Sequence, residues 1–338
     1  KKPKGAKWAP KVKYVTKARY QADGRGILEP GFEHIFVIPA EGGSARQLTS
    51  GDFNHGSNLS WSGDGQSLYF AANRNENWEY EPRESDIYTI TAFGKNAGQL
   101  TQITKERGGE YNPLVSPDGK KVAFLKIDDE KLAYRNRHLM VMETDGDNQK
   151  NLSEKIDNSL SNIQWNTKSS GLYYQMDKRG FVNVGFTSLK GKHKTLVKGL
   201  GGASMGRPYT FATFNVNKDV VAYTKGRTDR PADIHVYKRN RNTQITALNE
   251  DVLGHKTLGE VKEIVYKSEI DGEEIQGWYI LPPNFDPDKK YPLILEIHGG
   301  PHLSYGPHFT AELQRFAAEG YIVFYDNHRG STGYGERF

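Results

Sequence analysis

The chain has 338 residues, with 46 basic and 41 acidic side chains and a net charge of +5. It has no cysteine, which excludes disulfides and thiolate metal sites. No apolar run is long enough to span a membrane, and so small a charge excess singles out no polyanionic partner.

Hydrophobic residues make up 36% and aromatics 12%, with 36 glycines and 15 prolines. That balance suits alternating strands joined by many turns. The densest basic stretch comes first: Lys1, Lys2, Lys4, Lys7, Lys11, Lys13, Lys17 and Arg19, with Trp8 and Tyr14 among them. Interleaved aromatics could stack on single-stranded nucleic acid. The reading adopted is a solvated sheet edge on which lysines discourage pairing, so neither nucleic acid nor membrane is expected as a partner. No signal-peptide pattern opens the chain; any leader would lie upstream of Lys1. Compartment stays open between cytoplasm and periplasm.

Self-similarity is the first informative feature. Ile35–Ile38, Ile87–Ile90, Leu139–Met142, Val182–Gly185 and Ile234–Tyr237 look like copies of one strand, starting ~52, ~52, ~43 and ~52 residues apart. A second element follows each: Gln47-Leu48-Thr49, Gln99-Leu100-Thr101, Asn151-Leu152-Ser153, Thr195-Leu196 and Gln244-Ile245-Thr246. A third is a hairpin, Trp61-Ser62-Gly63-Asp64-Gly65 and Val115-Ser116-Pro117-Asp118-Gly119, with weaker copies at Trp165–Ser169 and Phe214–Asn217. Glycine there accepts the positive φ of a tight turn. One such unit cannot bury its own sheet, and stacking units around an axis does, so residues 1–250 read as blades of a partial β-propeller.

The pattern breaks after Asp251. Glu260–Tyr266 and Ile275–Ile280 read as a hairpin turned by Asp271-Gly272. Leu293–Ile297 is a nearly continuous apolar run, expected to be a strand buried on both faces. Phe309, Leu313, Phe316 and Ala317 share one helical face that Gly320 would end, and Tyr321–Tyr325 reads as a second buried strand. Strand, helix, strand is a βαβ unit, so residues 251–338 read as a separate α/β segment and the whole as mainly β.

His298-Gly299-Gly300-Pro301 follows the first of those strands. Two glycines allow close backbone approach and leave amides free to point at a developing oxyanion. Asn327–Gly335 follows the second strand, with Gly330, Gly333 and Gly335 in a tight loop. Metal chemistry is not expected. His298 and His302 are four apart, but Gly299-Gly300-Pro301 between them forbids a helix. Asp145-Gly146-Asp147 reads as a turn because Lys150 stands where a calcium loop needs glycine.

The Pro-Asp-Gly hairpins, Arg230-Pro231-Ala232-Asp233, His298-Gly299-Gly300-Pro301-His302 and Asn327–Gly335 together resemble the prolyl oligopeptidase family of serine peptidases, in its acylaminoacyl-peptidase and dipeptidyl-peptidase branches. The resemblance covers essentially the whole chain. It implies a propeller of seven or eight blades, begun upstream, followed by the N-terminal part of an α/β-hydrolase domain. It implies hydrolysis of short peptides, no cofactor and no metal, with homo-oligomerisation left open. It assigns an oxyanion-hole role to Gly300, with His298 and Gly299 beside it. Arg329 is a candidate substrate contact, though it reads better as a brace for its loop.

Dipeptidyl peptidases of the family hold a substrate's amino terminus with two adjacent glutamates. Glu79 and Glu81 are candidates, on one side of an extended strand, although Tyr80 separates them. The catalytic Ser, Asp and His are expected after Phe338, in a C-terminal segment that partners this chain. Gly202-Ala203-Ser204-Met205-Gly206 matches the nucleophile motif, but it lies among the blades, with no strand before it and Arg207-Pro208 after it. Two other readings are a non-catalytic TolB-like propeller that binds a protein, and an esterase on the same hydrolase core.

Overall fold

The computed structural model describes residues 2–10, 12–56, 58–218 and 220–338. Lys1 and Lys11 of the basic stretch lie outside them. The described lysines of that stretch are exposed and belong to no sheet. They therefore do not form the sheet edge expected of them. Two short hairpins come first, β1 (Gln21–Ala22) with β2 (Gly26–Ile27) and β3 (Phe36–Val37) with β4 (Arg46–Gln47).

Four four-stranded antiparallel sheets then share one plan. The first holds β5 (Ser60–Trp61), β6 (Ser67–Ala72), β7 (Asp86–Thr91) and β8 (Leu100–Gln102). The second holds β9 (Gly109–Val115), β10 (Lys121–Ile127), β11 (His138–Glu143) and β12 (Lys150–Asn151). The third holds β13 (Leu160–Trp165), β14 (Gly171–Lys178), β15 (Phe181–Ser188) and β16 (His193–Leu200). The fourth holds β17 (Phe214–Asn217), β18 (Val220–Lys225), β19 (Asp233–Lys238) and β20 (Arg241–Gln244). Four of the five copies of the repeated strand fall on the third strands β7, β11, β15 and β19; the first, Ile35–Ile38, falls on β3, whose pair with β4 has the form of the outer half of a blade.

Side chains tie the first strand of each sheet to the next. Ser60 Oγ accepts from the Val115 amide at 3.0 Å, Trp165 Nε1 donates to the Leu114 carbonyl at 2.8 Å, and Gln164 Nε2 donates to the Phe214 carbonyl at 3.1 Å. Apolar cores fill the spaces between sheets. Tyr69, Ile87, Val122, Phe124 and Met142 lie between the first two, and Val182, Val184, Phe214, Val221 and Tyr223 between the last two. Stacked sheets that share cores in this way make a propeller-like domain.

Local chemistry explains the repeats. In the hairpins, Ser62 Oγ and Ser116 Oγ donate to Asp64 and Asp118, both at 2.6 Å, and accept the amides of Ser67 and Lys121. The two turns also touch each other: a Cβ on Gly63 would lie 2.5 Å from the Gly119 α-carbon. The second repeat element works through its hydroxyl. Thr49, Thr104, Ser153 and Thr246 accept the amides of Ile35, Ile87, Leu139 and Ile234 at 2.8–2.9 Å. In the second copy the position belongs to Gln102-Ile103-Thr104, not Gln99-Leu100-Thr101 as the sequence suggested, because only the Thr104 hydroxyl reaches the third strand. Ser153→Ala leaves the Leu139 amide buried without an acceptor, and is expected to cost about 1–2 kcal/mol in a denaturant melt.

The last sheet departs from the blade plan. Its order is β21 (Val261–Lys267), β22 (Glu274–Ile280), β24 (Ile322–Asn327), β23 (Leu293–Glu296), and the β23–β24 pair is parallel. The one-turn α1 (Glu250–Leu253) precedes it, and α2 (Ala311–Ala318) connects β23 to β24 with Leu313 and Ala317 buried on Trp278, Val323 and Tyr325. β24 buries Val323 and Tyr325 fully. β23 does not meet the expectation of burial on both faces: Leu293, Leu295 and Ile297 are 62, 52 and 63% exposed. It is an edge strand, and no described residue covers that face.

Candidate active site

The mixed sheet packs on the end of the blades that carries the β10–β11, β12–β13, β14–β15 and β16–β17 connections. The Gly63 and Gly119 hairpins lie at the opposite end. Arg135 pairs with Glu336 at 2.7 Å, and Glu336 also accepts the Asn136 amide at 2.6 Å. Thr332 Oγ1 donates to Asp177 Oδ2 at 2.6 Å, across 155 residues of sequence. Arg207 pairs with Glu296 at 2.6 Å and with Glu312. His308 fills the seam itself: its Nε2 donates to the Gly180 carbonyl at 3.0 Å, and a Cβ on Gly201 would lie 2.0 Å from its ring.

The turn after β23 meets the loop after β24 at this seam. His298 is 3% exposed. Its Nε2 lies 2.9 Å from Ser331 Oγ, and its ring stacks on His328 at 4.3 Å and meets Tyr305 edge-on at 5.0 Å. Burial holds its pKa below the ordinary histidine value, and the neighbouring His328 acts in the same direction. The ring is therefore a neutral brace turned inward. Ser331 in turn donates to the His328 carbonyl at 2.6 Å, and His302 Nδ1 lies 3.2 Å from the Gly330 carbonyl. With different partners, His298 and His302 do not converge on a common point.

Gly299 and Gly300 are exposed, and no described residue accepts a hydrogen bond from either amide. Gly300 has φ 131°, a left-handed value that favours glycine, and its peptide bond to Pro301 is cis. A Cβ on Gly299 would meet nothing within 4 Å; one on Gly300 would lie 3.0 Å from the His302 amide nitrogen.

A cavity of about 230 Å³ lies alongside, between the blades and the loop after β24. Its blade wall includes Tyr134, Arg137, Asn158, Ser159 and Asp177, and its other wall includes His302, Gly330, Ser331 and Gly333. Asp177 is deeply buried, which raises its pKa against the effect of the Thr332 hydrogen bond.

The remaining candidates lie elsewhere or serve as braces. Arg329 Nε pairs with Asp271 at 2.8 Å, its Nη2 donates to the Arg337 carbonyl at 3.1 Å, and the guanidinium lies 4.8 Å over the Phe338 ring. Glu79 and Glu81 are not on one strand face, because residues 76–80 form successive turns. Glu79 accepts the Ala18 amide at 2.6 Å, while Glu81 pairs with Arg107 at 3.1 Å. Glu81 borders a second cavity of about 180 Å³ with Glu84, Asp86 and Arg107. Asp86 is pushed up to about 6 by burial and by Glu110. Ser204 lies in the loop between β16 and β17, with no helix after it. Among the described residues no group of three or more His, Cys, Asp or Glu could hold a metal ion, and no helix is long and apolar enough to cross a membrane.

The model of the dipeptidyl peptidase IV N-terminal region matches residues 23–123. Dipeptidyl-peptidase 5 of Porphyromonas gingivalis is 29% identical over 83% of this chain and 40% of its own length. The uncharacterized peptidase YuxL of Bacillus subtilis is 29% identical over 98% of this chain and 64% of its own. The Pyrococcus horikoshii acylaminoacyl peptidase structure matches with a TM-score of 0.74 at 21% identity, over 97% of this chain and 48% of that one. These matches place the chain in the prolyl oligopeptidase and acylaminoacyl-peptidase clan, through its propeller-like part. A Mycobacterium tuberculosis puromycin-hydrolyzing peptidase shares the fold at a TM-score of 0.58 and 15% identity, over 90% of this chain and 56% of that one. The chain thus spans 40 and 64% of the two clan relatives matched by sequence.

The sequence reading missed two features of the site. Ser331 secures the His298 ring from 33 residues away, and Asp177 anchors Thr332 from the third blade. Neither pairing has a local signature, although a serine inside a glycine-rich loop could have prompted a search for a partner.

Proposed function

We propose that the full-length protein is a serine-type peptidase acting on short peptides, acylaminoacyl-peptidase-like or dipeptidyl-peptidase-like. In this reading residues 1–250 supply blades and residues 251–338 open an α/β-hydrolase domain. The catalytic Ser, Asp and His come from polypeptide after Phe338. The Ser attacks the scissile carbonyl, the His takes its proton, and the Asp orients the His. The Gly300 amide, with Gly299 beside it, donates to the tetrahedral oxyanion. His298 holds the turn in place through Ser331, and Arg329 holds the loop opposite.

One observation carries the proposal: two unengaged glycine amides stand at the carboxyl end of a parallel strand, just before His302, which lines a cavity between the blades and the loop after β24. The mixed sheet also disfavours a pure propeller, whose next element would be another blade. Fluorophosphonate labelling of the full-length protein, followed by peptide mass mapping, tests it. One labelled serine is expected C-terminal to Phe338. Label on Ser204, or none under conditions where the protein cleaves peptides, overturns it.

A further inference from the structure

The cavity beside the glycine turn is lined by four charged side chains, Arg135, Arg137, Asp177 and Glu336, and three of them are engaged. Arg135 and Glu336 neutralise each other at 2.7 Å. Asp177 is covered by the Thr332 hydroxyl. Arg137 differs. Its backbone is pinned at both ends, the amide donating to Ser159 Oγ at 3.1 Å and the carbonyl accepting from Leu160 at 3.0 Å. The residue is exposed and lines the cavity, and its guanidinium makes no ion pair or hydrogen bond with any described residue, acting on Asp177 only through space. Asn158 and Ser159 add polar groups to the same wall.

A fixed backbone carrying a guanidinium whose donors are unengaged can receive a carboxylate, which guanidinium binds through two parallel hydrogen bonds. Resting on the peptidase reading above for the identity of the ligand, we infer that Arg137 anchors a carboxylate of a short peptide bound in this cavity. The anchor would select peptides whose end reaches the blade wall. The carboxylate is either the terminal one or an acidic side chain, and the test separates the two.

The test is isothermal titration of the full-length protein with acetyl-trialanine acid, acetyl-trialanine amide and acetyl-Ala-Ala-Asp amide. The acid is expected to bind roughly 10- to 100-fold more tightly than the trialanine amide. Arg137→Gln abolishes that difference without weakening the amide, and Arg137→Lys restores part of it, since lysine keeps the charge but not the fork. If the aspartyl amide equals the acid, the anchor serves side-chain carboxylates as well. Equal binding of all three peptides, no binding of any, or a preference that survives Arg137→Gln overturns the inference. An unchanged melting curve for Arg137→Gln guards against misfolding. Turnover of the same peptides is scored separately: carboxylate-dependent binding without cleavage would sink the peptidase reading and leave the anchor standing.

Discussion

Gly300→Ala in the full-length protein is expected to lower kcat by about 10²- to 10³-fold, the usual cost of losing one oxyanion donor. The mechanism is geometric. Alanine resists φ 131°, and its Cβ would crowd the His302 amide nitrogen at 3.0 Å, so the peptide plane that presents the Gly300 amide must rotate. The turn is exposed, so the melting temperature should move little. Gly299→Ala is the matched comparison, because its Cβ would project into open space and its φ is not left-handed. It should stay within a few-fold of wild type. Steady-state kinetics and thermal melts on the two variants check this. Equal activities would mean that the amide of Gly300 is not aimed at the reacting oxygen.

Acid is expected to weaken the seam through His308. Its ring is buried among Gly180, Phe181, Gly201 and Gly306, with no carboxylate against it, and burial lowers its pKa from 6.5 to about 4. Above pH 6.5 the group is neutral in both folded and unfolded chains and costs nothing. As pH falls from 6.5 to 4, the unfolded chain takes up the proton first, so stability drops, by about 3 kcal/mol in all. Asp86, Glu110 and Asp177 are raised by burial and slope the other way over part of this range. The effect must therefore be read as a difference. Denaturant melts of wild type and His308→Gln, from pH 7 to 4, should converge as the pH falls. Parallel curves would show that the imidazole titrates normally, in a seam wet enough to solvate it.

The blades were legible because their signals are local: strand copies recur at a nearly constant spacing, and in the first two four-stranded sheets a Ser-x-Asp-Gly turn closes its hydrogen bonds within five residues, with weaker copies of the turn in the other two. The βαβ segment was legible for a similar reason, since the face shared by Leu313 and Ala317 and the stop at Gly320 are both local. Misreadings arose where the local signal was ambiguous or the deciding partner was distant. The stretch from Gln99 to Thr104 contains the Gln-x-Thr pattern twice, and the hydroxyl-to-amide reach to Ile87 selects the second copy. Glu79 and Glu81 looked like strand positions, yet Asn75 and Asn77 accept from the amides of Trp78 and Tyr80 and coil the segment. An apolar run such as Leu293–Ile297 reports the preference of its side chains, not what covers them. His298 reads from sequence as a residue beside the oxyanion hole, and nothing near it in sequence foretells that Ser331 holds its ring.

The meeting of Gly63 with Gly119 bears on how such a ring can diversify. Where two neighbouring turns touch through bare α-carbons, the spacing between their sheets is fixed by main chain and cannot be tuned by side-chain volume. Outer strands are then free to change composition without shifting the pitch of the array. A single methyl added at either glycine would instead pry the two sheets apart at their base, tilting everything mounted on the far end, the glycine turn and its cavity included.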